Sequence, residues 1–407
     1  MKKILPVLAS ALLLCACGGQ RQELVRTNFE AAAAQLRLAI RTADSLAAAR
    51  PDSVVAAQGD YPRLFPRSIR PDGSLFTVSS RDWTSGFFPG SLWYMYEYTG
   101  EAYWREQAER FTELLHREPF NTDTHDVGFM VNDSYGHGYR LTGNPAYREA
   151  VVQAARSLAT RFDPRVGCIR SWNARRGWQY PVIIDNMMNL ELLLDAARFT
   201  GDSTFVRIAC SHADRTLQNH FRPDFSSYHV IDYDPADGGV LHRNTHQGYA
   251  DASSWARGQA WGLYGYAFMY RKTGERRYLE AAERIAERIR TFPTMPADGI
   301  PYWDFDAPNI PDEPRDVSAA AVLASALYDL ASLTGERGNA HKAWADRILE
   351  NLTASYRAPR GTHHGFLLLH SVGNLPSGSE VDTPLNYADY YFLEALLRKQ
   401  ACERADK

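Results

Sequence analysis

Two aspartates stand where the chain passes from a polar loop into an apolar run. Asp126 precedes the largely apolar residues 127–131, and Asp185 lies in the stretch PVIIDNMM. A carboxylate with such neighbours is costly to bury unless it is paired or used. Burial and a second nearby carboxylate favour the protonated form of one member, and they outweigh the roughly 0.3–1 kcal/mol by which a helix N-terminus favours the charged form. The pair is therefore predicted to be catalytic, with one carboxyl charged and one protonated for general acid–base chemistry.

A second stretch, residues 246–262, is dense in hydrogen-bond donors. Arg257 within it could donate two parallel hydrogen bonds to a substrate carboxylate. The chain also contains 9 Trp, 22 Tyr and 18 Phe. Aromatic side chains stack on sugar rings, but they serve equally in the core of a large helical protein, so composition alone leaves both interpretations open.

The elements that position these residues are indicated by a recurring Thr-Gly step. Each step ends an apolar, helix-like run and precedes an amphipathic one. Glycine just past a helix is a C-terminal stop because it adopts positive φ without steric cost. The repeated unit is therefore a pair of antiparallel helices. The steps are Thr99-Gly100, Thr142-Gly143, Thr200-Gly201, Thr273-Gly274 and Thr334-Gly335.

Five such hairpins are visible, and the helix-like segment 22–49 with the terminal run Tyr387–Arg398 supplies a sixth. No alternating stretch is long enough to predict a main sheet. The predicted fold is all-α, an (α/α)6 barrel that forms a single catalytic domain over residues 18–407. An open helical-repeat scaffold is the alternative that the pattern leaves open.

The first helix of each hairpin is the more apolar and is expected to line the barrel. Each of these inner helices begins beside Asp, Ser or Thr, so their polar starts are predicted to converge on one mouth of the barrel. For Asp82, Asp316 and Asp389, helix capping or packing is the favoured interpretation.

The net charge of −3 gives the chain no general basic surface, which argues against nucleic acid as a partner. Cys168, Cys210 and Cys402 stand in none of the spacings typical of metal ligands. No metal and no other cofactor is therefore predicted.

The N-terminus is typical of an export signal. Lys2 and Lys3 precede the apolar residues 4–14, and the stretch LCACGG follows. This stretch is similar to a bacterial lipoprotein signal, which predicts a signal segment over residues 1–17 with cleavage before Cys17 and lipidation of that cysteine; ordinary signal cleavage is the alternative. Because no other apolar run approaches about 18 residues, contact with the membrane is expected only through the lipid anchor, in the bacterial periplasm or at the outer membrane.

Several motifs together resemble the unsaturated glucuronyl hydrolases, glycoside hydrolase family 88. They are DWTSGFFPGSLW, HDVGFM, IIDNMMNLELL, THQGYADASSWARGQAWGLYG and YADYYFLEALLR. The resemblance implies an (α/α)6 barrel and an enzyme that needs no cofactor. It also implies hydration of the C4=C5 double bond of an unsaturated uronyl residue at the non-reducing end of a di- or oligosaccharide. Asp185 falls on the family's acid/base and Asp126 on its second essential aspartate.

The same resemblance implies the substrate-binding residues. His246 and Gln247 would hold the water and ring hydroxyls, and Arg257 and Trp261 would contact the uronate. The remaining predicted contacts are Trp83 and Trp172, which would stack on the sugars, and Ser253 and His229. A monomer or a homodimer is expected.

Three alternatives remain at this stage. The nearest is an unsaturated rhamnogalacturonyl hydrolase that acts on pectin fragments. A sugar epimerase would use histidines such as His229 and His246, and a non-catalytic glycan-binding lipoprotein would show no turnover. Sulfate recognition by the loop from Ser371 to Asp382 is not expected, because this loop contains neither Lys nor Arg.

Overall fold

The computed structural model describes residues 7–49, 61–173 and 176–405, with residues 7–22 and 405 described by their backbone alone. The start of the predicted signal segment lies outside the described residues. Cys17 lies outside those whose side chains are described.

The described residues form twelve α-helices in six hairpins. The inner helices are α2 (Phe87–Thr99), α4 (His137–Thr142), α6 (Asn186–Thr200), α8 (Ala256–Thr273), α10 (Val317–Leu333) and α12 (Asn386–Ala405). The outer helices are α1 (Val7–Ala48), α3 (Ala102–Glu113), α5 (Pro145–Ala159), α7 (Ser203–Asn219), α9 (Arg276–Thr291) and α11 (Gly338–Asn351). A π-helix, Gly128–Gly136, leads directly into α4, and a second, Leu352–Tyr356, follows α11. Short 3-10 helices cover Glu118–Phe120, Gly335–Arg337, His363–Gly365 and Leu375–Ser377.

The inner helices form a closed ring. Each packs against the next, the π-helix takes the place of the short α4 between α2 and α6, and α12 packs against α2. Helix α1, from the start of the chain, packs on α2 and α12 and completes the last hairpin. The predicted (α/α)6 barrel is confirmed.

Burial separates the two rings. Helix α10 is buried at every residue from Val317 to Leu330 because it is covered on all sides. Helix α9 buries only the stripe that includes Tyr278, Ala282 and Ile289, and its charged residues face solvent. This contrast is what a lining helix and an amphipathic covering helix should show.

The Thr-Gly steps end the inner helices as predicted at the first four positions. Gly100, Gly143, Gly201 and Gly274 have φ values of 70 to 74°. The threonine adds a bond that the sequence did not reveal: Thr99 Oγ1 donates to the Met95 carbonyl at 2.7 Å and accepts from the Glu101 amide at 3.2 Å. The fifth step differs, because Gly335 begins a 3-10 helix before α11.

Seven short strands, in three small antiparallel sheets, lie in the loops of the described chain. Two sheets pair β1 (Phe65–Ile69) with β2 (Leu75–Val78) and β3 (Phe162–Asp163) with β4 (Cys168–Ile169). The third contains β5 (Tyr180–Ile183), β6 (Val230–Tyr233) and β7 (Val240–Asn244). This third sheet ends beside the start of α6, and the Ile184 amide donates to the His229 carbonyl at 3.0 Å.

Among the described residues, Cys168 and Cys210 are free thiols. None of the helices that the structure describes is long and apolar enough to cross a bilayer.

Candidate active site

Asp126 is fixed just before the π-helix. Thr124 Oγ1 donates to Asp126 Oδ2 at 2.6 Å, and His125 Nε2 lies 3.2 Å from Asp126 Oδ1. Burial lowers the pKa of His125, although the charge of Asp126 opposes this effect, so the ring is neutral at physiological pH. Asp126 is therefore held by short local contacts and remains partly exposed to the barrel mouth.

A glycine lets the π-helix approach α6. A Cβ on Gly128 would stand 2.5 Å from Asn189 Oδ1, closer than real contacts allow. The same Asn189 oxygen accepts from the Phe129 amide at 3.0 Å. Because π-helical segments often occur at functional sites, this close junction fits a role in setting the position of Asp126 relative to α6.

Asp185 occupies the residue before α6 and is 8% exposed. Its side chain makes no capping bond to α6, and its Oδ2 has no hydrogen-bond partner in the described part of the chain. Burial raises the pKa of Asp185 to about 7; Arg257 opposes this rise, and the negative charge of Asp126 adds to it. A substantial fraction of Asp185 is therefore protonated at neutral pH, as a general acid must be.

His229 faces Asp185 with a defined tautomer. Its Nδ1 accepts from the backbone amides of His246 and Gln247, both at 3.2 Å. The proton of the neutral ring must then be on Nε2, which lies 3.6 Å from Asp185 Oδ2. The ring stacks on Trp255 with centroids 4.5 Å apart, which fixes its plane.

Three buried donors lie near the N-terminal ends of α8 and α12. Arg257 Nε, Trp261 Nε1 and the Tyr387 hydroxyl have no hydrogen-bond partner among the residues described. The Arg257 guanidinium lies 5.3 Å from the centre of the Tyr387 ring, and both Arg257 and Trp261 lower the pKa of Asp185 against the effect of burial. Buried donors without partners are destabilising, so three together indicate a place for an acceptor group of a ligand.

The outer nitrogens of Arg257 donate to the protein itself, and the two-fold grip of this residue on a substrate carboxylate stays a prediction. Nη1 donates to Asp316 Oδ2 at 2.8 Å and to the Val372 carbonyl at 2.5 Å, and Nη2 donates to the Gly373 carbonyl at 2.8 Å. These bonds hold the loop before α12. The Nε–H group has no hydrogen-bond partner among the described residues.

Gln247 serves the same loop, because its Nε2 donates to the Gly373 carbonyl at 3.0 Å. Ser253 forms hydrogen bonds to other groups of the protein. Its hydroxyl donates to Asp304 Oδ2 at 2.7 Å and accepts from the Ala250 amide at 3.1 Å. Its single proton is thus already used to support the loop before α8, and the contact of Ser253 with substrate stays a prediction.

The predicted tryptophans occupy two walls of the mouth. Trp83 is partly exposed and packs on Tyr387 with ring centroids 4.9 Å apart. On the other wall, Trp172 stacks on Trp178 at 5.8 Å and stands edge-on to His246 at 5.2 Å. Each tryptophan therefore packs one side against another aromatic ring and lies near a site residue. This arrangement suits a side chain that stacks on a sugar ring.

Within the described ranges, no three His, Cys, Asp or Glu side chains are grouped so that they could hold a metal ion.

Residues 69–284 match the family model described as Glycosyl Hydrolase Family 88. Over 341 residues, 83% of its length, the chain is 45% identical to an unsaturated glucuronyl hydrolase of Formosa agariphila, of which it covers 84%. The chain belongs to glycoside hydrolase family 88.

Two solved structures of family 88 members resemble the fold. An unsaturated glucuronyl hydrolase specific for heparin has 46% sequence identity and a TM-score of 0.86, over 94% of this chain and 98% of that one. A variant of the unsaturated glucuronyl hydrolase of Streptococcus agalactiae, complexed with dGlcA-GalNAc6S, has 28% identity and a TM-score of 0.73, over 92% and 90% of the chains. The predicted family and the predicted glycoside hydrolase class are confirmed.

The family 88 match contains both aspartates, but Tyr387 lies beyond it. Sequence reasoning recognised this tyrosine only as the start of the last inner helix. A usable signal existed, because an aromatic residue at an inner-helix start must lie near the barrel mouth. Its unpartnered hydroxyl could be recognised only from the packed structure.

Proposed function

We propose that this family 88 enzyme releases 4,5-unsaturated uronyl residues from the non-reducing end of lyase-generated oligosaccharides, with Asp185 as the acid. The observation that carries this assignment is a buried carboxyl, with a pKa raised by burial to about 7, together with three buried donors that have no partner among the described residues. A uronyl ring brings both an enol ether to be protonated and a carboxylate to be bound.

The proposed chemistry begins with protonation of the double bond. The Asp185 carboxyl gives its proton to C4, and positive charge develops at C5 and the ring oxygen. Water then adds its oxygen to C5 and returns a proton to the Asp185 carboxylate. The product at C5 is a hemiketal, which opens and releases the rest of the saccharide, so one water is consumed and the acid is regenerated.

The surrounding groups suit these steps. Arg257 Nε–H, Trp261 Nε1–H and the Tyr387 hydroxyl are placed to bind the uronate carboxylate and fix C4 near the acid. His229 Nε2–H, 3.6 Å from Asp185 Oδ2, can stabilise the carboxylate after proton transfer and position the water. Asp126 helps Asp185 to keep its proton and is free at the mouth to accept a hydrogen bond from a sugar hydroxyl.

The proposed substrates are unsaturated disaccharides of the heparin type. Support comes from the 46% identity to the heparin-specific hydrolase, compared with 28% to the enzyme that was crystallised with dGlcA-GalNAc6S. The loop before α12 adds to this argument. Its Glu380 accepts two hydrogen bonds from Arg67, at 2.6 and 2.7 Å. The charge of Arg67 is therefore already balanced by Glu380, and Arg67 is not available to bind a sulfate group of a substrate.

The test is a substrate panel. The purified protein is incubated with unsaturated disaccharides from heparin, chondroitin, hyaluronan and pectin, and loss of the ultraviolet absorbance of the double bond is followed. We expect the highest kcat/KM for the heparin disaccharides and no reaction with saturated controls. Turnover of pectic disaccharides alone would instead indicate a rhamnogalacturonyl hydrolase, and binding without turnover would contradict an enzymatic role.

We also propose that the mature protein begins at a lipidated Cys17 and is anchored at the bacterial periplasmic or outer membrane. The sequence supports this through the charged residues Lys2 and Lys3, the short apolar run and the Cys-Gly-Gly stretch. Cys17→Ser should move the protein from the detergent phase to the aqueous phase in a phase-partition experiment. Mass spectrometry should find the acylated N-terminal peptide only in the native protein, and an unmodified Cys17 there would contradict the proposal.

A further inference from the structure

Arg257 connects two carboxylates that belong to different inner helices. Its guanidinium is 1% exposed, and its Nη1 donates at 2.8 Å to Oδ2 of Asp316, which is fully buried. On its other side, the positive charge of Arg257 acts on Asp185 strongly enough to oppose the effect of burial. One buried cation is thus shared between the proposed acid and a second aspartate.

Asp316 is fixed more tightly than Asp185. Its Oδ1 caps α10 by accepting from the Ser318 amide at 3.0 Å, and it also accepts from the Ser318 hydroxyl at 2.6 Å. The Val372 amide donates to the same oxygen at 3.3 Å. Capping therefore uses one oxygen of Asp316 and leaves the other for Arg257.

The guanidinium cannot turn away from this position without losing several bonds. The Val372 and Gly373 carbonyls accept from its two Nη atoms, and the Gly373 carbonyl is shared with Gln247. Arg257 is therefore a cation at a fixed point, and its effect on Asp185 depends on how far a counter-charge balances it.

The balance matters because Asp185 must hold a proton to act as the acid. An unbalanced buried cation beside a carboxyl favours its ionised form. Burial prevails over Arg257 at Asp185, and the same guanidinium forms a buried ion pair with Asp316. The titratable and charged groups that face Asp185 or Arg257 are Asp126 before the π-helix, His229 before β6, Asp316 before α10 and Tyr387 on α12.

We propose that Asp316 is a positioning residue for catalysis, which holds Arg257 in place and balances its charge so that Asp185 stays protonated at neutral pH. Asp316 is fully buried and paired with Arg257, so it does not touch the substrate carboxylate itself. The inference rests on the proposed acid role of Asp185, and the two can fail separately.

The test compares pH profiles of kcat. Loss of the Asp185 proton sets the alkaline limb of the native profile. Asp316→Asn keeps an oxygen for the helix cap but removes the counter-charge, so the limb should move to lower pH by about one unit, and kcat at pH 7 should fall about fivefold. A purely structural role would lower the amount of folded enzyme without moving the limb, so an unmoved limb in folded Asp316→Asn would overturn the proposal.

A double variant covers the case in which Asp316→Asn alone does not fold. Arg257→Gln with Asp316→Asn removes both charges and leaves neither one buried alone. Without the cation, its limb should lie above the native one, the opposite direction from the single change. A double variant whose limb lies at or below the native position would show that Arg257 does not act on Asp185, and would overturn the inference.

Asp82→Asn is the matched control. Asp82 also precedes an inner helix, also accepts from a following amide and also pairs with an arginine, Arg67, at 2.6 Å. Because the ion pairs of Arg67 are with Asp82 and Glu380, the limb should stay at its native position. Asp185→Asn is measured beside these variants: turnover by it would refute the proposed function, whereas an inactive Asp185→Asn with an unmoved limb in Asp316→Asn would refute only the inference.

Discussion

Two carboxyl groups at α6 have pKa values that are shifted from their ordinary values in opposite directions. Burial raises the pKa of Asp185 at the start of the helix to about 7. Burial acts in the same direction on Glu191, but Lys272 and Arg271 together lower its pKa to about 2. The two cations lie 3.2 Å from Glu191, whereas Asp185 must share its cation with Asp316.

The same contrast separates the two ends of the barrel. At the C-terminal ends of the inner helices, Lys272 pairs with Asp195 at 2.7 Å and Arg398 with Glu394 at 3.0 Å. Cations are also favoured there by the helix dipoles. At the N-terminal ends, donors around Asp185 lack partners within the described chain. Paired charges hold the first end together, and the second end keeps polar atoms available for a ligand.

The largest expected effect tests the difference in function between these carboxyls. Asp185→Asn should lower kcat by about 10²- to 10⁴-fold because the variant has no proton to give to C4. Glu191→Gln, on the same helix, should keep kcat within about threefold of the native value because Glu191 is paired away from the site. The ultraviolet assay at saturating disaccharide measures both, and similar losses in the two variants would remove the distinction.

The second effect concerns stability above neutral pH. The pKa of Asp185 is raised from 3.8 to about 7 on folding, so its contribution to stability is fully present below 3.8 and is lost as the pH rises through 7. Ionisation then costs about 4 kcal/mol at pH 8. Asp185→Asn should therefore be more stable than the native protein by about that amount at pH 8, and by little at pH 4. Urea unfolding at both pH values measures this, and a gain independent of pH would contradict it.

Glu191 should show the reverse. Its pKa falls from 4.5 to about 2 on folding, so its stabilisation is present above 4.5 and is lost as the pH falls through 2. Glu191→Gln should lower the free energy of unfolding by about 3 kcal/mol at pH 7 because Lys272 loses a partner. The loss should be much smaller near pH 2, and an unchanged stability at pH 7 would show that these ion pairs contribute nothing.

The smallest expected effect tests the unpartnered donors. Tyr387→Phe removes one hydroxyl that has no acceptor among the described residues, so KM should rise about tenfold with little change in stability. Tyr266→Phe is the control, because the Tyr266 hydroxyl donates to the Ala213 carbonyl at 2.8 Å. This second variant should lose stability and keep its KM, and an exchange of the two outcomes would refute the assignment of Tyr387.

Much of the fold could be predicted because its signals are local. A Thr-Gly step ends a helix through the left-handed glycine, and the structure has this conformation at Gly100, Gly143, Gly201 and Gly274. The cap at Asp316 was also predicted, and its bond to the Ser318 amide joins residues two apart. Asp389 instead lies inside α12 and accepts from the Leu367 and Leu368 amides. These bonds join α12 to another segment, so Asp389 acts in packing and does not cap the helix.

The strands beside the site were not predicted, since four- and five-residue segments give too short an alternation to be distinguished from loops. The third sheet nevertheless brings the His229 backbone to Ile184, the residue before the proposed acid. The donor at Tyr387 was missed for a related reason. Whether a hydroxyl has a partner depends on residues far away in the chain.

The sequence by itself determined the twelve helices, the mouth at which the inner helices begin and the two carboxyls at neighbouring starts, because caps and helical periodicity depend on residues a few positions apart. Only the tertiary structure decided which carboxyl would keep its proton. That choice depends on charges brought together from distant segments, such as Arg257 and Asp316, which are 59 residues apart. Burial and the distance to a fixed cation are properties of the packed barrel, and no local pattern encodes them.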